Sequence, residues 1–412
     1  MFGKSGGGEG GGGPSATLAA LESKLLVIET RVEQIRGQDF IQRPLPSLVN
    51  GAAVRREGLA ELDRVTPVRV QAADDELLKL LGLIPPQSNL RAIETTVLGE
   101  QVAGFYDPRT KRLALVSDTG AQDESVAEIT LAHELTHALD DQRFGLRDQP
   151  SDTDDRASAY TALVEGDATA VMSRYATQYL TGADLLGALF AGSSASGQPL
   201  PPYIEASLEF PYLEGQRFIE ALYRYAHGWK LVNYAFRFRP PASTAQILHP
   251  LLYVHDRKPL RIRMRVRPLL GRDWRRVISG SLGEFDTRQL LQRGIDAAHA
   301  DQIAAAWRGG SYELWRTGSL PNPECPGPCR PRDSLVLAWR TAPGRDAQML
   351  SAALGAYVVR GLGAHPEAEE SWTLPGGGSA SLTTRGGNTV LAFAPSKGLA
   401  ASLAAQAVVS AA

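Results

Sequence analysis

Ile129-Thr-Leu-Ala-His-Glu-Leu-Thr-His-Ala-Leu-Asp140 is the stretch on which the fold of this chain turns. Read as a helix, it puts His133 and His137 four residues apart, on one face and one turn from each other. Two imidazoles in that relation can grip one metal ion, and Glu134 then points beside it, where a water would sit. The bland alternative is a pair of ordinary histidines on a helix surface. The flanks argue against it. Val126, Ile129, Leu131, Ala132, Leu135, Ala138 and Leu139 border the histidine face with apolar side chains, as in a buried helix. Polar groups inside such a helix need a partner. Asp123, Glu124 and Ser125 supply the acidic and capping side chains expected where it starts. The metal expected is Zn2+, with His133 and His137 as ligands.

A catalytic zinc usually has three protein ligands and a water. In the long metzincin form, Gly and His would stand where this chain has Asp140 and Arg143, so that form is excluded. The next apolar helix is expected from about 156 to 179, and it contains Ala162-Leu-Val-Glu-Gly-Asp-Ala-Thr-Ala-Val171. Glu165 is an acid in apolar surroundings and is the expected third ligand. Gly166 follows it. Glycine inside a helix costs about 1 kcal/mol unless close packing needs it, and close approach to the metal helix is the expected reason. A surface ion pair with Arg174 is the competing role for Glu165. Asp167 competes as ligand, or accepts a hydrogen bond from a ligand imidazole. Asp140 and Asp141 are open to that same supporting role.

His133-Glu-x-x-His137 with Glu165 on a second helix resembles the gluzincin branch of zinc peptidases. Gly104-Phe-Tyr-Asp-Pro-Arg-Thr-Lys-Arg-Leu-Ala-Leu-Val116 looks like the strand pair that precedes the metal helix there. Phe210-Pro-Tyr-Leu-Glu-Gly215, Gly228-Trp229 and Pro240-Pro-x-Ser-Thr-x-Gln-Ile-Leu-His-Pro250 resemble a little-studied bacterial family of metallopeptidases. The resemblance spans roughly residues 85–320. It implies an α+β fold with a zincin-like catalytic core, a small sheet beside a pair of metal-binding helices. Thermolysin-like gluzincins carry a supporting Asp four residues after the ligand. Here that position is Thr169, which leaves the task to Asp167 or Asp140.

The implied reaction is peptide-bond hydrolysis by a metal-activated water, with Glu134 as general base. The oxyanion needs one further donor. His249 is the first choice, ahead of Tyr212, Tyr253 and His255. The substrate is a peptide or protein, laid along a sheet edge offered by residues 112–116 or 102–106, with Asp107-Pro-Arg-Thr as the turn. Two other functions compete. One is a non-catalytic binding protein on a zincin scaffold, which the intact Glu134 opposes. The other is a zinc amidase acting on cell-wall peptides.

The 412 residues exceed what one compact domain usually needs. A net charge of −2 gives no case for nucleic acid or an anionic membrane as partner. No apolar run reaches the ~20 residues of a membrane helix. The first residues run from Met1 into a Gly-rich tract without an apolar export segment, so the chain is either intracellular or begins after such a signal, with an extracytoplasmic place favoured. Cys325 and Cys329 suggest a small local disulfide, which suits an oxidising compartment.

The expected organisation is a Gly-rich tail (1–15), an N-terminal helical region (16–84), the peptidase core (85–320), a Pro-rich linker (321–332) and a C-terminal α+β domain (333–412). Leu18, Leu21, Leu25, Ile28 and Ile35 mark a helix over 17–36 that docks within the chain. Arg257–Arg267 alternates basic and apolar residues and reads as a strand with one solvated face. Gly192–Pro202 reads as a loop bordering the cleft.

Overall fold

The computed structural model describes residues 14–100, 104–116, 124–146, 153–180, 199–318 and 328–409. The expected tail up to Gly13, most of the Gly192–Pro202 loop, Asp123 and Cys325 lie outside them. The chain is mixed α+β with one large antiparallel sheet. Among the described residues no helix is long and apolar enough to cross a membrane.

Residue contacts group the chain into two units, each drawn from three segments. The first takes Met1–Val49, Ala103–Leu146 and Ala168–Ser193. The second takes Asn50–Val102, Arg147–Asp167 and Ser194–Ala412. The helix Asp154–Tyr179 contributes to both.

The first unit is built around the helix Glu124–Phe144. Its Leu131, Ala132, Leu135, Ala138 and Leu139 are buried, and so are His133, Thr136, His137, Asp140 and Asp141. Gly145 ends it in the left-handed conformation (φ 71°), and its N–H donates to the Asp141 carbonyl. The helix Pro14–Arg36 packs on it through buried Leu25, Ile28, Val32 and Ile35. That is the expected intrachain docking; the side chains of Leu18 and Leu21 lie outside the described residues. Strands β1 (Pro46–Val49), β2 (Gly104–Asp107) and β3 (Arg112–Val116) form a sheet in the order β1-β3-β2. β1 is parallel to β3, and β2 antiparallel. Asp107 closes the turn from β2 to β3 by accepting from the Arg109 N–H and the Thr110 hydroxyl.

The second unit holds β4 (Arg263–Met264), β5 (Trp274–Ser281), β6 (Gly309–Thr317), β7 (Asp333–Arg340), β8 (His365–Ala368), β9 (Ser371–Thr373), β10 (Ser379–Arg385), β11 (Asn388–Ala394) and β12 (Val408–Val409). Seven of them make one sheet, β5-β6-β7-β11-β10-β9-β8. Both faces are covered, as the strand period of two requires. Leu335, Leu337, Trp339, Leu391 and Phe393 join one core with Leu77, Leu290 and Leu354. Val336, Ala338, Val390, Ala392 and Ala394 join the other with Ala400, Leu403 and Ala404 of the helix Lys397–Gln406.

This sheet redraws the expected boundaries. β6 and β7 are hydrogen-bonded neighbours from Gly309↔Arg340 to Arg316↔Asp333, so the 321–332 segment joins two strands of one sheet. The strands after 333 therefore complete a sheet begun at Trp274, and 333–412 is not a separate domain. The N-terminal region divides as well: the helix Pro14–Arg36 belongs to the first unit, and the helices from Gly51 to Glu100 to the second. The expected strand over Arg257–Arg267 shrinks to β4, which among the described residues pairs with β12 alone.

Candidate metal centre

The helix Asp154–Tyr179 starts where Thr153 accepts from the Arg156 N–H, with Asp154 and Asp155 in its first turn. The Asp155 N–H donates to the Ser281 hydroxyl, and Asp155 accepts from the backbone N–H and hydroxyl of Thr244. At Gly166 this helix meets Gly215 of the helix Pro202–Ala226. A Cβ on Gly166 would lie 2.2 Å from the Gly215 carbonyl carbon, and one on Gly215 2.2 Å from the Ala162 carbonyl oxygen. The expected reason for Gly166, contact with the metal helix, is thus corrected: a glycine-to-glycine helix crossing requires it.

In the first unit, Arg31 braces the helix Glu124–Phe144 against the later turns of Asp154–Tyr179. Its guanidinium donates to Glu128 (3.0 Å) and to the Tyr175 hydroxyl (2.8 Å), while Tyr175 also donates to Glu128.

His133 and His137 present their Nε2 atoms to each other at 3.1 Å, with ring planes at 89°. Each of the two rings, and Glu165, offers one ligand atom, and the three atoms lie within 4.8 Å of one another. Two nitrogens about 2.0–2.1 Å from one zinc, at a tetrahedral angle, stand roughly 3.3 Å apart. The observed pair fits that spacing. A single N–H···N hydrogen bond between neutral rings would also fit 3.1 Å. The carboxylate of Glu165 stands in the same group, where a third ligand would. Two imidazoles and a carboxylate are a donor set suited to zinc.

Glu134 is held from the sheet. Its Oε2 accepts the Tyr106 N–H of β2 at 2.8 Å. The Tyr106 hydroxyl donates to Asp141 (2.7 Å), which also accepts from Lys111 (2.6 Å) and from the Leu146 N–H (3.0 Å). Burial, and then the neighbouring Asp141, push the Tyr106 hydroxyl far above its usual pKa. Asp141 is thereby taken by the sheet and is not an orienting partner for a histidine. Asp140 is ion-paired with Arg36 at 3.3 Å, with both side chains buried. Asp167 is fully buried. Tyr106 and Arg36 are the neighbours of this site that the sequence reading missed. The burial alternation of β2 marks Tyr106 as inward-facing, but nothing local ties it to Glu134.

His249 lies between the short helices Thr244–Leu248 and Pro250–Val254, and its Nε2 sits 2.7 Å from Oε1 of buried Glu284. That partner raises the His249 pKa. Tyr253 is buried, with its hydroxyl donating to the Arg239 carbonyl, and Tyr212 is exposed. Cys329 is buried and disulfide-bonded. Comparison with protein-family models, with curated proteins and with solved structures finds no match to this chain.

Proposed function

We propose that this chain is a zinc-dependent peptidase with a zincin-like core, in which His133, His137 and Glu165 hold the metal and Glu134 is the general base. The observation that carries the reading is the convergence of two buried imidazole nitrogens, 3.1 Å apart, with a carboxylate from another helix. A bound zinc would supply Lewis acidity, lowering the pKa of a water and polarising a carbonyl. Glu134, one residue after His133 and three before His137 and steadied by the Tyr106 N–H, takes the proton of the attacking water and hands it to the leaving amine. β2 is an edge of its sheet and β3 is central, which leaves β2 as the strand along which an extended peptide would lie. The 112–116 edge is withdrawn on that ground.

The test is elemental analysis of the full chain beside Glu165→Ala, with cleavage of unfolded protein and of muropeptides followed in parallel. About one zinc per chain, lost in Glu165→Ala, with cleavage of protein, is the expected result. A parent chain that takes up no zinc after metal addition and dialysis ends the reading. Zinc with cleavage of muropeptides alone transfers it to a cell-wall amidase.

A further inference from the structure

Arg330 is a half-buried cation that pairs with no carboxylate among the described residues. Its Nη1 is enclosed and has no hydrogen-bond partner, and its Nη2 makes one long contact, 3.5 Å, to the Leu80 carbonyl. Glu76 is near but occupied, accepting the Cys329 N–H at 2.6 Å and pairing with Arg316 at 3.2 Å. Burial pushes the Arg330 guanidinium below its usual pKa, against the fields of Tyr357 and Glu76. An enclosed guanidinium nitrogen left without an acceptor costs stability, and an anion in reach of it would supply one.

The side chain lines a cavity of about 680 Å³. Lys79 and Arg293 line it too, and no Asp or Glu does among the described residues. Lys79 is held by Asp75 at 2.6 Å, while Arg293 is exposed. The walls are stiff: Pro86, Pro202 and Pro375 stand in them. Arg330 itself sits on a braced loop, with its N–H on the Pro328 carbonyl, next to a disulfide-bonded residue. A planar guanidinium with free donors, the exposed Arg293 and the Asp75-held Lys79 beside it, and no acid among the lining residues suit a planar or tetrahedral oxyanion.

We propose that this cavity is an anion-binding site, with Arg330 as anchor and Arg293 and Lys79 flanking it, for a small molecule bearing a phosphate or carboxylate group. The site is independent of the zinc reading, since none of its residues is a ligand or base there.

Isothermal titration of the full chain with inorganic phosphate, and separately with succinate, tests it. Parent, Arg330→Gln, Arg330→Lys and Arg293→Gln are compared in one metal state, so that any anion bound at the metal centre contributes equally to all. The expected result is saturable binding of one anion per parent chain. Affinity falls at least about tenfold in Arg330→Gln and by a smaller factor in Arg330→Lys and Arg293→Gln. Tighter phosphate identifies a phosphoryl ligand, and tighter succinate a carboxylate one. Without anion, Arg330→Gln melts no lower than the parent. Absence of saturable binding in the parent overturns the proposal. So does unchanged affinity in the Arg330 variants, or in Arg293→Gln alone should the Arg330 variants fail to fold.

Discussion

At the scale of single residues, Glu134 and His249 make opposite cases. Glu134 follows His133 by one position, so the role proposed for it is written in local spacing, and the structure adds the Tyr106 N–H that steadies it. Replacing it with Gln keeps the shape and removes the base. We expect zinc content to stay at the parent level while peptide hydrolysis falls by about 10²–10⁴-fold. Parent-like turnover in a clean Glu134→Gln preparation would remove Glu134 as the base. His249 is the first of four candidate oxyanion donors in sequence; its partner is Glu284, thirty-five residues on, and no local spacing records that. The buried carboxylate favours the charged imidazole, so the folded-state pKa lies above the ordinary 6.5. An NMR titration should find the His249 midpoint above that value and see it return towards it in Glu284→Gln. An unshifted midpoint in the parent chain would contradict the pairing.

At the scale of elements, periodicity was a good guide where one face or two are buried along the whole length. The helix expected over 156–179 runs from Asp154 to Tyr179, because Thr153 and two acids mark its start and apolar residues continue to its end. Alternation without a neighbour was a poor guide: Arg257–Arg267 has the strand pattern, but only two of its residues find a partner strand. Gly166 stands between these cases. Its cost within a helix announced a close approach, while the partner, Gly215, is invisible without the fold. Gly166→Ala should gain about 1 kcal/mol in helix propensity and lose more than that to overlap. A Cβ 2.2 Å from backbone cannot be accommodated by swinging a side chain aside, and overpacking of this kind costs about 1–3 kcal/mol. The expected outcome is a lower urea midpoint together with weaker zinc retention, because Glu165 is the adjacent residue. An unchanged midpoint would show that the two helices separate at no cost.

At the scale of the whole molecule, each unit collects segments from distant parts of the chain, which composition and local pattern do not record. Long-range assembly also gathers acids that look like ordinary surface residues in sequence into partly desolvated places. Asp74, Asp154 and Asp286 line one cavity of the second unit with Tyr203 and Tyr312, and Asp155 is buried against Thr244. Burial is the leading cause in each. It lifts Asp74 and Asp155 to about 7, with Asp154 and Glu94 adding to the first and Asp286 and Glu284 to the second. Asp286 is lifted to about 6. An unfolded Asp titrates near ~3.9. Between those values the folded chain holds more protons than the unfolded one, so stability falls as pH rises. The contribution is complete below about pH 4 and is lost as pH climbs through 6 to 7. His249, also raised, acts in the same direction. Carboxylates with lowered pKa, such as Asp107, are ionised in both states over this window and do not mask the trend. Metal-free protein, in which histidine–zinc competition is absent, should therefore melt at a higher temperature at pH 5.5 than at pH 8. Asp286→Asn should flatten the difference by removing one of the carboxyls with a raised pKa. A melting temperature that rises from pH 5.5 to pH 8 would mean that these carboxyls are ionised and paired in the folded chain.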